Sequence, residues 1–196
     1  MAKEISRENI INIAKEIVSK EGIQAVNMRY ISKKAGFAVG SIYNYFPSKN
    51  DLIIAVVESI WEDIFHIDKG FDDFDRFTEY IEKLFENIVD KSKNYPNFFT
   101  LHSMGFMTDK DNKQNKDNKQ NKDDKGKETM DRYFSHMKIK LLEILNNDKN
   151  IKKDAFNVNF TKEKFIDFVF SNIIIFLMRD KNDCEILIET INRSIY

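Results

Sequence analysis

The run Asn27-Met28-Arg29-Tyr30-Ile31-Ser32-Lys33-Lys34-Ala35-Gly36-Phe37-Ala38-Val39-Gly40-Ser41-Ile42-Tyr43-Asn44-Tyr45-Phe46-Pro47-Ser48-Lys49-Asn50-Asp51-Leu52 decides the fold. Met28 to Ala35 reads as a short helix, with Asn27 as its cap and Ile31 and Ala35 turned inward. Gly36 breaks it, and Val39 to Phe46 reads as a second helix ended by Pro47. The link Ala35-Gly36-Phe37-Ala38 is short. A small residue lets two helices cross closely, and glycine permits the tight turn. This is a helix-turn-helix, whose physical use is to push the N-terminal half of its second helix into a DNA major groove. Gly40 has no side chain and lets the backbone approach a phosphate. Ser41, Tyr43, Asn44 and Tyr45 offer hydroxyl and amide groups to phosphates and base edges, and Arg29 and Lys49 flank them as cations.

Working outward, Ser6 caps a preceding helix whose apolar face is Ile10, Ile13, Ala14 and Ile17, closed by Gly22. On the other side Ser48, with Asp51 three residues later, caps a long helix with an inward stripe of Leu52, Ala55, Val56, Ser59, Ile60 and Ile64. Gly70 and the acidic residues Asp72, Asp73 and Asp75 mark its end. Residues 74 to about 92 read as another amphipathic helix through Phe74, Phe77, Ile81, Leu84, Phe85 and Ile88. Pro96 opens a shorter apolar element, Phe98 to Met107.

The composition then changes abruptly. Asp109 to Lys127 holds no apolar residue, and Asp111–Lys116 repeats as Asp117–Lys122. With nothing to bury, this segment reads as a solvated loop, and its seven Lys against five Asp leave it slightly basic. A helical pattern resumes near Glu128, through Tyr133, Phe134, Met137, Leu141, Ile144 and Leu145, and breaks at Asn146 to Asn150. Residues 162 to 179 are apolar nearly all round, which a helix tolerates when both sides are covered. Asp180 to Asp183 turn the chain into a last helix, Glu185 to Ser194. The expectation is an all-α protein of about nine helices: a three-helix helix-turn-helix head over residues 1–48, and a helical bundle over residues 49–196.

Composition narrows the function classes. The 196 residues are 42% hydrophobic and 32% charged, as in a folded globular chain. No unbroken apolar run, Ile173 to Met178 included, exceeds six residues, far from the roughly 20 that a spanning helix needs. The first residues carry no apolar stretch of the kind an export signal has. Cys184 is the single cysteine, so no intrachain disulfide can form; it reads as a small buried hydrophobe rather than a redox sensor. His66, His102 and His136 lack the spacing of a helical metal site, and no metal or cofactor is expected. No Ser/His/Asp set or Gly-rich phosphate loop appears, which argues against an enzyme. The net charge of −1 hides an asymmetry: residues 1–50 sum to +4 and the rest to −5. A small basic head on an acidic body is what a polyanion-binding protein would carry.

The quoted run resembles the TetR-family DNA-binding signature, through Ile31, Ala35-Gly36, Gly40, Ile42-Tyr43, Tyr45-Phe46, Lys49 and Leu52. With the helix before it, the resemblance covers roughly residues 6–60; the body is similar in length and helical character. The resemblance implies an all-α homodimer with a three-helix head. It implies phosphate contacts by Tyr43 and Lys49, and contacts to bases or backbone by Arg29, Val39, Ser41, Asn44 and Tyr45. Three positions depart from the family pattern. Ala38 stands where a capping Ser is usual, a loss of about 1 kcal/mol. Ser32 replaces a small Ala, and Phe37 a Val. Ile31, Ala35, Ile42 and Phe46 are core of the head, and Lys33 and Lys34 read as a solvated face.

The sequence reading is thus a cytoplasmic, dimeric, ligand-responsive transcriptional repressor that binds double-stranded operator DNA. Its last two helices would form the dimer interface, one side on the body and the other on the partner. A small apolar or amphipathic effector would bind among Trp61, Phe65, Phe99, Met104, Phe134, Met137 and Phe176, since flat aromatics and adaptable Met suit such ligands. The alternative is a nucleoid or cell-division factor that uses the same head without regulating transcription.

Overall fold

The computed structural model describes residues 5–66, 74–96, 98, 120–179 and 183–196, with side chains except at 120–127, 129 and 130. Among these residues it is entirely helical. The helices are α1 (Arg7–Glu21), α2 (Met28–Ala35), α3 (Val39–Tyr43), α4 (Lys49–Phe65), α5 (Phe77–Ser92), α6 (Gln120–Asn147), α7 (Lys162–Met178) and α8 (Glu185–Ile195), with one 3-10 turn at Ile23–Ala25. Apart from Phe98, the element expected over Phe98 to Met107 lies outside the described residues, as do the repeat up to residue 119, the turn at 180–182 and Phe99, His102 and Met104.

The chain divides into two compact units: Met1–Ile64 with Lys91–Met130, and Phe65–Asp90 with Asp131–Tyr196. Helix α4 up to Ile64 falls in the first unit, together with α1, α2 and α3. Two features of α4 favour that. Leu52, Val56 and Ile60 are fully buried along one stripe. Lys15 of α1 also reaches Asp63 of α4 at 2.8 Å, and the Tyr95 hydroxyl donates to the same carboxylate at 2.9 Å.

In the first unit the starts of α1, α2 and α4 and the end of α1 have local causes. The Ser6 hydroxyl accepts from the Asn9 amide at 3.1 Å and starts α1. Gly22, at φ 81°, ends it in a conformation that a side chain would resist. Asn27 Oδ1 accepts from the Tyr30 amide at 2.9 Å and starts α2. Ser48 caps α4, accepting from the Asp51 amide at 3.2 Å while its hydroxyl donates to the Asp51 carboxylate at 2.8 Å. Ile10, Ala14, Ile17, Val26, Ile31 and Ile42 are fully buried beneath these helices. Each of these Ile and Val side chains contributes about 1.5–3 kcal/mol on burial.

The second unit is built on aromatic side chains. Phe65 packs edge-on to Tyr133 and tilted against Phe170, and Phe134 meets Phe170 with ring centroids 5.2 Å apart. Phe165 gathers Phe77, Phe156 and Phe160. Thr161 caps α7, accepting from the Lys164 amide at 3.3 Å. The side chain of Tyr196 donates to Asp148, and that carboxylate accepts the Phe77 amide at 2.8 Å, tying the start of α5 to the end of α8. Burial and the Asp148 carboxylate push the Tyr196 phenol up to about 12.

Two elements differ from the sequence reading. Helix α6 starts at Gln120, inside the segment 109–127 expected to be a loop. Asn121, Asp123, Asp124 and Gly126 offset the helix-favouring Gln120 and lysines, and what extends the helix is its continuity with the amphipathic turns after it. The recognition helix is shorter than expected, ending at Tyr43 and not at Phe46. Beyond it the amides of Tyr45 and Phe46 both donate to the Ile42 carbonyl at 3.0 Å, a tightened last turn that Pro47 prevents from continuing.

Candidate DNA-binding interface

Helices α2 and α3 meet through a turn fixed from both ends. Gly36 sits at φ 73°, the left-handed conformation that closes a helix, and the Phe37 amide donates to the Ser32 carbonyl at 3.1 Å. The other end lacks the usual device, since Ala38 makes no side-chain cap on α3. Ser32 supplies a different tie. It is buried, and its hydroxyl donates to the Phe37 carbonyl at 2.5 Å. The Ser32 hydroxyl thus ties the turn through the backbone carbonyl of residue 37, while the α3 N-terminus keeps no side-chain cap.

A stability prediction follows from this geometry. Ser32→Ala should destabilise the head by about 1 kcal/mol, since it removes one buried hydrogen bond. Ala38→Ser should stabilise it by about 0.5–2 kcal/mol by restoring the cap. Calorimetric melting of the two variants and of the pair tests this. A Ser32→Ala protein that melts with the wild type would show that the hydroxyl contributes nothing.

The residues expected to meet DNA lie on one short stretch and mostly outward. Tyr43 and Tyr45 keep 49% and 39% of their surface exposed, unusual for large aromatics and a sign that the fold itself does not need to bury them. Arg29, Gly40, Asn44 and Lys49 are exposed, and Val39 and Ser41 are half-buried. A Cβ built on Gly40 would meet nothing within 4 Å, so the protein's own packing does not demand glycine there. The space that Gly40 leaves open faces outward. By contrast, of the four residues expected in the core of the head, Ile31 and Ile42 are fully buried and Phe46 nearly so, while Ala35 is half-buried.

Three side chains near this surface have partners inside the protein. Lys34 pairs with Glu16 at 3.3 Å. Tyr30 donates to Glu21 at 2.5 Å, and that hydrogen bond, with burial and the nearby charge, raises its phenol above the usual range. Tyr45, expected at the DNA, directs its hydroxyl to the Ile5 carbonyl at 3.0 Å. One residue was not singled out by its sequence position: Arg7, whose guanidinium lies 5.4 Å over the Phe46 ring. In sequence it counts only as one more positive charge.

The residues expected around an effector fall in different places. Trp61 is buried in the first unit, edge-on to Phe98. Phe65, Phe134, Met137 and Phe176 lie in the second. There Phe65 and Phe134 share Phe170, Met137 is buried, and Phe176 packs edge-on to Phe85. Cys184 is half-buried. Burial, then Glu82 and Asp183, push its thiol up to about 11, which disfavours the reactive thiolate. Among the described residues no group of His, Cys, Asp and Glu could hold a metal ion, and no helix is long and apolar enough to cross a membrane.

Comparison with known proteins agrees with this geometry. Residues 10–56 match the family described as bacterial regulatory proteins, tetR family. The transcriptional repressor KstR of Mycolicibacterium smegmatis is 40% identical over 58 residues, 30% of this chain and 28% of that protein. An uncharacterized HTH-type transcriptional regulator of Bacillus subtilis, YvdT, is 43% identical over 53 residues, 27% of each chain. The matched region thus spans less than a third of these relatives' length. The crystal structure of RolR without ligand covers 96% of this chain and 89% of its own, with a TM-score of 0.57 at 17% identity. A tetR-family regulator from Rhodococcus sp. covers 97% and 98%, with a TM-score of 0.58 at 10% identity. At such identities these likenesses speak to the fold alone.

Proposed function

We propose that the chain is a dimeric transcriptional repressor of the tetR kind that binds operator DNA through α2 and α3, a reading supported by the match of residues 10–56 to the family of bacterial regulatory proteins. The observation that carries this is the exposed row Gly40, Tyr43, Asn44 and Lys49 around a recognition helix anchored by buried Ile42. In this reading Tyr43 and Lys49 hold phosphates. Arg29, Val39, Ser41 and Asn44 reach base edges or backbone, and the protein works in the cytoplasm, where its operator is.

Dimerisation is supported by the outer side of the last two helices. On α7 the buried face is Phe165, Ile166, Val169, Phe170, Ile173 and Leu177. Two turns apart on another side, Phe168 and Ile175 remain 45% and 39% exposed, and Ile186 in the first turn of α8 is 68% exposed. A second copy of the chain covering these side chains accounts for a helix that is apolar nearly all round.

The effector proposal rests on the aromatic composition of the second unit. An apolar or amphipathic molecule held beside Phe65, Phe134, Met137 and Phe176 would release the operator. It can do so only by binding the DNA-incompetent state better, and typical coupling is about 5–150-fold. Linkage requires that operator DNA weaken the effector by the same factor, which calorimetric titration with and without operator measures. Equal affinity in both titrations would refute an inducer role.

Mapping occupied sites on the chromosome tests the regulatory reading. A few promoters are expected. Many dispersed sites would instead support the nucleoid or cell-division factor.

A further inference from the structure

We propose that Arg7, at the start of α1, is an additional DNA-phosphate contact of the head, and that Tyr45 acts as its positioning residue. The inference rests on the DNA-binding reading above and adds a site that the recognition motif does not contain. Two independent ties fasten residues 5–7 to the exit of the recognition helix, some 40 residues along the chain. The Arg7 guanidinium lies 5.4 Å over the ring of Phe46, which is itself 2% exposed and held by its amide on the Ile42 carbonyl. The neighbouring Tyr45 hydroxyl donates to the Ile5 carbonyl at 3.0 Å.

This geometry suits anion recognition. A guanidinium attracted to an aromatic face spends none of its N–H donors on a hydrogen bond there, and they form the planar fork that matches a phosphate. The ring also fixes a side chain that would otherwise lose several rotamers on binding, so less entropy is lost at the contact. Arg7 is exposed, and the residue that holds it lies between Tyr43 and Lys49, both exposed and both assigned to phosphates. The cation from α1 therefore extends the same run of polar and basic groups. Tyr45 reaches DNA indirectly in this account: its hydroxyl is engaged with Ile5, and what it contributes is the placement of residues 5–7.

The experiment is the salt dependence of binding to a non-specific DNA duplex, for the full chain, four single variants and the Arg7→Gln, Tyr45→Phe double variant. Arg7→Gln should lower the slope of log K against log salt by about 1 per protomer, because one phosphate contact is lost. Arg7→Lys should restore the slope, since a charge returns. Lys20→Gln makes the same charge change about 20 Å along α1 and should leave the slope unchanged. Tyr45→Phe should weaken binding in the wild-type background and have no further effect beside Arg7→Gln. An unchanged slope in folded Arg7→Gln protein would overturn the proposal, because a merely structural role cannot move it. A Lys20→Gln slope equal to that of Arg7→Gln would also overturn it, showing a general field and no contact. A full loss from Tyr45→Phe in both backgrounds would make Tyr45 a direct contact and remove its positioning role. If the wild-type protein binds no duplex at all, the DNA-binding reading itself fails, an outcome distinct from the others.

Discussion

Replacing Phe168 and Ile186 together with Asp is expected to yield a folded monomer of about 23 kDa that binds operator roughly 10²–10⁴-fold more weakly. Both side chains are substantially exposed in the single chain, at 45% and 68%, so Asp at either position costs the protomer little. At the centre of an interface the same carboxylates would be desolvated without partners, which costs several kcal/mol per charge. The loss in DNA affinity follows from geometry alone. A dimer that has engaged one half-site holds its second head at a high effective concentration over the other, and a monomer loses that advantage. Analytical ultracentrifugation, with circular dichroism as the check on helix content, measures the first part. A double variant that sediments as the wild-type dimer would mean that the two chains meet elsewhere.

The second large effect is expected at Asn44. As a base contact it supplies about 1–3 kcal/mol of discrimination per half-site. A two-fold dimer uses it twice, so Asn44→Ala should cost about 2–6 kcal/mol on the operator and little on random duplex. Lys49→Ala should behave in the opposite way: binding weakens by a similar factor on every sequence, and the salt slope falls by about 1 per protomer. The contrast separates reading from holding. Equal losses for Asn44→Ala on operator and random DNA would place Asn44 on the phosphate backbone, and an unchanged slope would remove Lys49 from it.

Much of the head is legible in sequence because its signals are local. Ser6, Asn27 and Ser48 cap the helices they precede, Gly22 and Gly36 end them at positive φ, and each step spans three or four residues. The exposed side chains of the interface are legible for the same reason: a five-residue helix with Ile42 inward must turn Tyr43 and Asn44 elsewhere. What does not show is whatever depends on distant partners. Nothing in the sequence near Tyr45 indicates that its hydroxyl meets Ile5, and nothing near Arg7 points to Phe46. The Ser32 hydroxyl is intermediate. The substitution is visible, but that it serves the Phe37 carbonyl depends on the path of the turn.

The extent of each unit is also set by tertiary contacts. Ser48 marks where α4 begins, yet the helix up to Ile64 falls in the first unit, with its buried stripe and the Lys15–Asp63 pair, neither of which a cap reveals. In the body, aromatic abundance predicts a packed core but not its partners. Phe65 and Phe134 meet on Phe170, while Trp61, four residues before Phe65, packs on Phe98 in the other unit.

The central claim is that α2 and α3 of two protomers read a two-fold symmetric DNA sequence. Selection of bound sites from a random duplex pool, followed by the stoichiometry of the enriched site, tests it most directly. The account predicts an inverted repeat whose half-sites lie about one helical turn or a multiple of it apart, occupied by an even number of protomers. Enrichment of no sequence, or of an asymmetric site held by a single protomer, would contradict it.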